Sequence, residues 1–185
     1  IQRITAAFTG YQLLFKGYDQ LALRALVQRG TVEALGSKIK VGKESEIYDA
    51  LGVGNRKLII KFHREGRSSF KQVKRTRAHL ADKTHFSWMY ASRLAAEREF
   101  KALERLYPEV AVPEPIDQNR NALAMGDLPG VELYRAKIKP GDRRLVLNLI
   151  LEQIKKAYRK GIIHGDLSEF NVMISPDGIS IIDLP

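Results

Sequence analysis

Two short apolar runs, Val172 to Ile174 and Ile179 to Ile182, flank Ser175-Pro176-Asp177-Gly178, and nothing else constrains the fold as tightly. Pro second and Gly fourth fit a type I turn, so the two runs read as antiparallel strands of one hairpin. Asn171 opens the first strand and Asp183 follows the second, so pairing brings both to the same end. Upstream, His164-Gly165-Asp166-Leu167-Ser168-Glu169-Phe170-Asn171 sets Asp166 five positions before Asn171. An amide oxygen and a carboxylate suit magnesium on phosphates, and a further carboxylate suits an attacking hydroxyl. The pattern points to phosphoryl transfer, where a protein mainly positions groups and neutralises charge. His164 has no second His or Cys placed to share a metal, so it is expected to support the loop structurally.

The 185 residues are 44% apolar, enough for a core, and the length implies one domain or one plus a fragment. Cysteine is absent. Disulfides and thiolate zinc sites are thereby excluded, and a reducing, cytoplasmic setting is expected. No apolar run approaches the roughly 18 residues of a membrane helix, so no membrane partner is expected. No signal peptide is visible, and a chain running from Ile1 to Pro185 is expected to be truncated at both ends. The formal charge of +10, from 31 basic and 21 acidic residues, favours a polyanionic partner such as RNA.

Along the chain, Ile1 to Tyr18 has two β-prone runs broken by Gly10 and Gly17, which predicts a small hairpin. Asp19 is expected as the N-cap of a helix over Leu21 to Val27 that stops at Gly30. From Gly36 the pattern turns to strands: Lys38 to Val41, Glu46 to Leu51 and Lys57 to Phe62. Gly42-Lys43-Glu44-Ser45 and Gly52-Val53-Gly54-Asn55 separate them with turn chemistry. Three antiparallel strands with a phosphate-covering first turn are therefore predicted.

Arg64 to His85 is basic and without periodicity, its only acids being Glu65 and Asp82. It reads as a flexible loop, either simply solvated or in contact with substrate or RNA. Trp88 to Tyr107 is a long helix on which Ala96, Phe100, Leu103 and Tyr107 form the apolar stripe. Glu97 projects toward Arg93, whereas Glu99 lies at the edge of that stripe and is the better candidate for an internal ion pair. Pro108 to Pro115 is a connector, and Ala122 to Met125 a short strand ending at Gly126-Asp127-Leu128-Pro129-Gly130. Leu147, Ile150, Leu151, Ile154 and Tyr158 mark an amphipathic helix closed by Gly161.

Four segments together resemble the RIO family of atypical protein kinases, and most its RIO2 branch: Gly42 to Tyr48, Ile60 to Phe70, His164 to Asn171, and Ile182-Asp183-Leu184-Pro185. The resemblance implies an α+β, two-lobed protein-kinase-like fold. Residues 1–35 would be the end of a winged-helix domain with its linker helix, and residues 36–185 the RIO domain. Within it, 36–125 would form the small antiparallel-sheet lobe with its basic loop at 64–85, 126–130 the hinge, and 131–185 the start of a truncated helical lobe.

By the same resemblance Asp166 is the catalytic aspartate, and Asn171 and Asp183 are the metal ligands. Lys61 contacts the α- and β-phosphates of ATP and Glu99 holds that lysine. Gly42, Lys43, Glu44, Ser45 and Ile47 belong to the ATP site, with Ser45 and the backbone of Lys43 and Glu44 contacting the phosphates. Met125 borders the adenine, and Gly126 and Leu128 offer it backbone groups. The implied cofactors are ATP and Mg2+, with Mn2+ as an alternative, and the implied partners are the pre-ribosomal small subunit and its rRNA.

Gly165 stands where common protein kinases have Arg, so no arginine there can pair with a phosphorylated activation loop. Asp183-Leu184-Pro185 replaces Asp-Phe-Gly, and RIO2 proteins more often carry Phe where Leu184 stands. Two rivals share parts of this pattern. One is a small-molecule phosphotransferase of the aminoglycoside or choline kinase type. The other is a non-catalytic rRNA-binding assembly factor.

Overall fold

The computed structural model describes residues 1–5, 9–64 and 88–184. The predicted basic loop from residue 65 onward, with Ser68-Ser69-Phe70, and the terminal Pro185 lie outside the described residues.

The N-terminal hairpin forms as expected. Strand β1 (Gln2–Thr5) pairs antiparallel with β2 (Thr9–Gln12), Arg3 facing Tyr11, and Gly10 lies inside β2 rather than breaking it. Helix α1 (Phe15–Gln28) begins before the predicted cap: Leu14 is the N-cap and supplies no side-chain bond. Asp19 is therefore an interior helix residue, contrary to the sequence expectation. Its carboxylate is taken by Arg64 at 2.6 and 2.5 Å and by Asn121 at 2.8 Å, so tertiary partners outweigh its local capping preference.

The main sheet has five strands, not three. It comprises β3 (Ala34–Val41), β4 (Ser45–Gly52), β5 (Arg56–His63), β6 (Pro115–Asn119) and β7 (Ala122–Gly126), in the order β3-β4-β5-β7-β6. The β4–β5 register runs unbroken from Ser45 opposite His63 to Gly52 opposite Arg56. Pairing of β3 with β4 shifts twice, between Leu35 and Lys38 and between Lys38 and Lys40. Strand β6 escaped the sequence reading because Ile116 is its sole aliphatic residue after Pro115.

Helix α2 (Trp88–Leu106) falls where its periodicity predicted, with Arg93 Nε 2.7 Å from Glu97 Oε1. Beyond it come β8 (Val131–Glu132), helix α3 (Arg143–Arg159), β9 (Val172–Ser175) and β10 (Gly178–Ile181). The hairpin read from the Ser-Pro-Asp-Gly turn is present, Val172 facing Ile181, and β8 adds to it in the order β10-β9-β8. Gly130 (φ 107°) enables that addition, since a Cβ there would collide with the Ile174 carbonyl.

The chain divides into two compact units, 1–97 with 117–124, and 98–116 with 125–185. In the first, Ala22, Leu26, Val32, Leu58, Ile60 and Leu123 are buried. In the second, Leu103, Leu106, Val110, Val172 and Ile181 form the core. Helix α3 departs from expectation in one respect. Val146 is its buried residue, while Leu147, Leu151, Ile154 and Tyr158 stay exposed. No described helix is long and apolar enough to cross a membrane.

Candidate active site

In the first unit the β3–β4 turn closes on itself, the Gly42 N–H donating to the Ser45 carbonyl at 2.8 Å. The Arg64 N–H donates to the Glu44 carbonyl at 2.6 Å, tying the turn to the end of β5. The β4–β5 register sets Ile47 opposite Lys61, so the strand lysine lies two pairs from Ser45. Lys61 is 4% exposed between buried Ile60 and Phe62. An ammonium buried this deeply requires polar or charged company.

The second unit holds Glu99, Met125, Gly126, Leu128, Asp166, Asn171 and Asp183. Glu99 is 2% exposed. Among the described residues, Lys61 and Glu99 are the buried members of the Asp, Glu, Lys and Arg set. Met125 is buried at the end of β7, and the Gly126 N–H donates to the Glu114 carbonyl at 2.9 Å. That bond fixes the backbone direction from which residues 126–130 leave the strand.

Asp166, Asn171 and Asp183 are brought together by backbone bonds. Asn171 Nδ2 donates to the Asp166 carbonyl at 2.9 Å, and the Asn171 N–H to Ser168 at 3.0 Å. The Ile182 N–H donates to the Asn171 carbonyl at 3.0 Å, and His164 Nε2 lies 2.9 Å from the Ile182 carbonyl. His164 thus clamps the loop to the strand that delivers Asp183, the supporting role expected of it. With Nδ2 committed to Asp166, the Asn171 side chain keeps its oxygen as the group to offer a ligand.

Two residues here have left-handed backbones, Gly165 (φ 75°) and Asp183 (φ 58°). At Gly165 the conformation itself accounts for glycine where common kinases carry arginine, since a side chain there is strained even though space is open. At Asp183 a carboxylate is kept on a backbone that costs a non-glycine residue about 1 kcal/mol or more.

Among the described residues no group of three His, Cys, Asp or Glu could hold a metal. The donors at the hairpin are Asn171 and Asp183, two hard oxygens. That pair is too small for a dedicated cage, yet it fits magnesium, which keeps waters and substrate phosphates in its remaining positions. A separate apolar cavity of about 370 Å³ includes His164, Ile181 and Leu184 in its lining, together with Leu106, Ile154 and Tyr158. Lys155 and Arg159 also line it, but most of its wall is apolar, and neither Asp166, Asn171 nor Asp183 is among its lining residues.

Sequence reasoning missed a polar cluster in the first unit. Arg64, placed by the sequence at the start of a flexible loop, is instead held by Asp19 and, at 3.2 Å, by Glu46. Burial works against its charge, but Asp19 and Glu46 outweigh burial and raise its pKa. Burial likewise opposes the Glu46 carboxylate, and Arg64, Lys38 and Tyr48 overcome it and lower its pKa. No local signal announces this cluster, because its members come from α1, β3, β4, the residue after β5 and the β6–β7 turn.

An antiparallel sheet carrying a self-closed Gly-Lys-Glu-Ser turn, with an Asp–Asn–Asp loop and hairpin in the second unit, makes this a protein-kinase-like domain. Residues 46–185 match the RIO domain family model. The chain belongs to the RIO family. It is 47% identical over 181 residues to the RIO-type serine/threonine-protein kinase Rio2 of Methanocaldococcus jannaschii, covering 95% of this chain and 67% of that protein. It is 40% identical to the serine/threonine-protein kinase rio2 of Dictyostelium discoideum, over 96% of this chain and 34% of that protein. The Rio2 kinase of Chaetomium thermophilum, solved as an ADP/Mg2+-phosphoaspartate complex, superposes with a TM-score of 0.80 at 37% identity. That match covers 98% of this chain and 57% of the solved one, so the chain spans little more than half of that relative.

Proposed function

We propose that this chain is the core of an ATP- and magnesium-dependent Rio2-type serine/threonine kinase or ATPase. The observation that carries the reading is the bonded set Asp166–Asn171–Ile182, which joins the loop of Asp166 and Asn171 to the strand that leads into Asp183. Asp166 orients the attacking hydroxyl of a protein acceptor and takes its proton as the γ-phosphoryl group transfers. Asn171 and Asp183 would hold the magnesium ion, or manganese in its place. When bound, the metal neutralises charge on the transferring phosphoryl group. Lys61 would contact the α- and β-phosphates, and Glu99 keeps the supporting role that the resemblance implies for it. Gly42, Lys43, Glu44 and Ser45 would cover the phosphates from the β3–β4 turn, with Ile47 a further residue of the ATP site. Met125 would border the adenine, with the backbone of Gly126 and Leu128 offered to its edge.

The Chaetomium relative carries a phosphoaspartate beside ADP and Mg2+. Extended to this chain, the Asp183 carboxylate would attack the γ-phosphorus with ADP leaving, and water would then release phosphate. That cycle is the ATPase arm of the proposal. Its setting is maturation of the small ribosomal subunit in the cytoplasm, with rRNA as the polyanion answering the +10 charge. Residues 1–35 are read as the end of a winged-helix domain, 36–125 as the small lobe, 126–130 as the hinge and 131–185 as the start of the helical lobe.

Asp183→Ala tests the assignment. Magnesium-dependent ATP turnover is expected to vanish while the far-ultraviolet dichroism spectrum stays that of the parent. Persisting turnover in this variant would remove the metal assignment. Phosphorylation of aminoglycosides or choline in place of protein would transfer the site to the small-molecule rival.

A further inference from the structure

We infer that Arg64 and Asp19 are positioning residues for the Gly42–Ser45 turn, and that helix α1 sets that turn's geometry through their ion pair. The inference rests on the proposal that the turn covers phosphates, but the contacts that carry it belong to the polypeptide alone.

Arg64 has two tasks at once. Its backbone N–H donates to the Glu44 carbonyl inside the turn at 2.6 Å. Its side chain reaches α1, Nη1 to Asp19 Oδ1 at 2.6 Å and Nη2 to Asp19 Oδ2 at 2.5 Å. The two side chains are 20% and 14% exposed, so water competes little for the pair. A two-pronged guanidinium–carboxylate pair specifies orientation as well as distance, which an ammonium cannot do. The guanidinium also lies 5.4 Å from the Phe15 ring centre and 5.9 Å from that of Phe62, which confines it further.

The anchor is itself anchored. Asp19 Oδ1 accepts a second bond from Asn121 Nδ2 at 2.8 Å, and Asn121 is fully buried. The His63 N–H donates to the Asn121 carbonyl at 2.8 Å, so the residue before Arg64 is tied to the same asparagine. On the other stem of the turn, Glu46 Oε2 takes Arg64 at 3.2 Å, Lys38 at 3.3 Å and the Tyr48 hydroxyl at 3.2 Å. Groups from β3, β4 and the end of β5 therefore meet at one guanidinium whose orientation is dictated from α1. A displacement of Asp19 moves Arg64, and Arg64 carries the Glu44 carbonyl with it.

The experiment compares Asp19→Asn, Arg64→Lys and the double variant with the parent by amide hydrogen exchange without nucleotide, and by Mg-ATP titration. Both single variants should exchange the Gly42 and Arg64 amides at least several-fold faster, with the middle of the β4–β5 ladder unchanged. The double variant should be no worse than the singles, because they break one linkage. KM for ATP should rise with kcat nearly preserved. Unchanged exchange at Gly42 and Arg64, or uniform acceleration across the sheet, would overturn the positioning role. Faster local exchange with nucleotide affinity unaltered, or with no nucleotide binding in the parent, would leave the mechanical link standing and sink the phosphate reading of the turn.

Discussion

Glu46 concentrates three favourable partners on one carboxylate, and its titration carries an acid-side signature. Burial raises its pKa, but Arg64, Lys38 and Tyr48 win, so the folded value lies below the ordinary 4.5. The stabilisation is therefore complete above that ordinary value and is lost as pH falls below 4.5 toward the folded value. Glu46→Gln is expected to cost roughly 1 kcal/mol near neutrality, as suits a partly solvated, charge-assisted cluster. The gap to the parent should close on acidification. Melting temperatures of both proteins from neutral pH to pH 3 check this, and parallel curves would refute it. Nothing at residue scale in the sequence foretold the cluster. Arg64 opens a run of bases and reads as one more of them, and Asp19 reads as a cap. Their meaning comes from pairing across 45 positions.

At the scale of elements, legibility followed how local the determinant was. The β9–β10 hairpin was readable because Pro176 and Gly178 encode their turn within four residues. Helix α2 was readable because its stripe repeats over five turns. Strand β8 was not, since two residues, Val131 and Glu132, are made a strand only by the neighbour they join. Gly130 is what lets them approach, and Gly130→Ala would meet the Ile174 carbonyl on a backbone already at φ 107°. That substitution should destabilise the second unit by about 2 kcal/mol or more. Chemical denaturation followed by circular dichroism should register it, and a loss below 0.5 kcal/mol would contradict the close approach.

For the whole molecule, the +10 charge predicts an ionic partner rather than a particular one. RNA binding should weaken linearly in log–log form as salt rises, roughly tenfold or more between 50 and 200 mM. A filter-binding titration insensitive to salt would argue against phosphate contacts. The site was legible to the extent that its chemistry lies in short segments: Asp166, Asn171 and Asp183 could be joined by one turn, and His164 given its supporting part. The left-handed backbone at Asp183 was not legible, because it depends on where the strand meets the loop. Aspartate, asparagine and glycine are the residues that tolerate such a backbone, and only the first supplies a carboxylate. A descendant could therefore exchange Asp183 for Asn with its architecture intact. Catalytic extinction in this lineage would leave no scar in shape or melting point, and only an assay would tell the living enzyme from its replica.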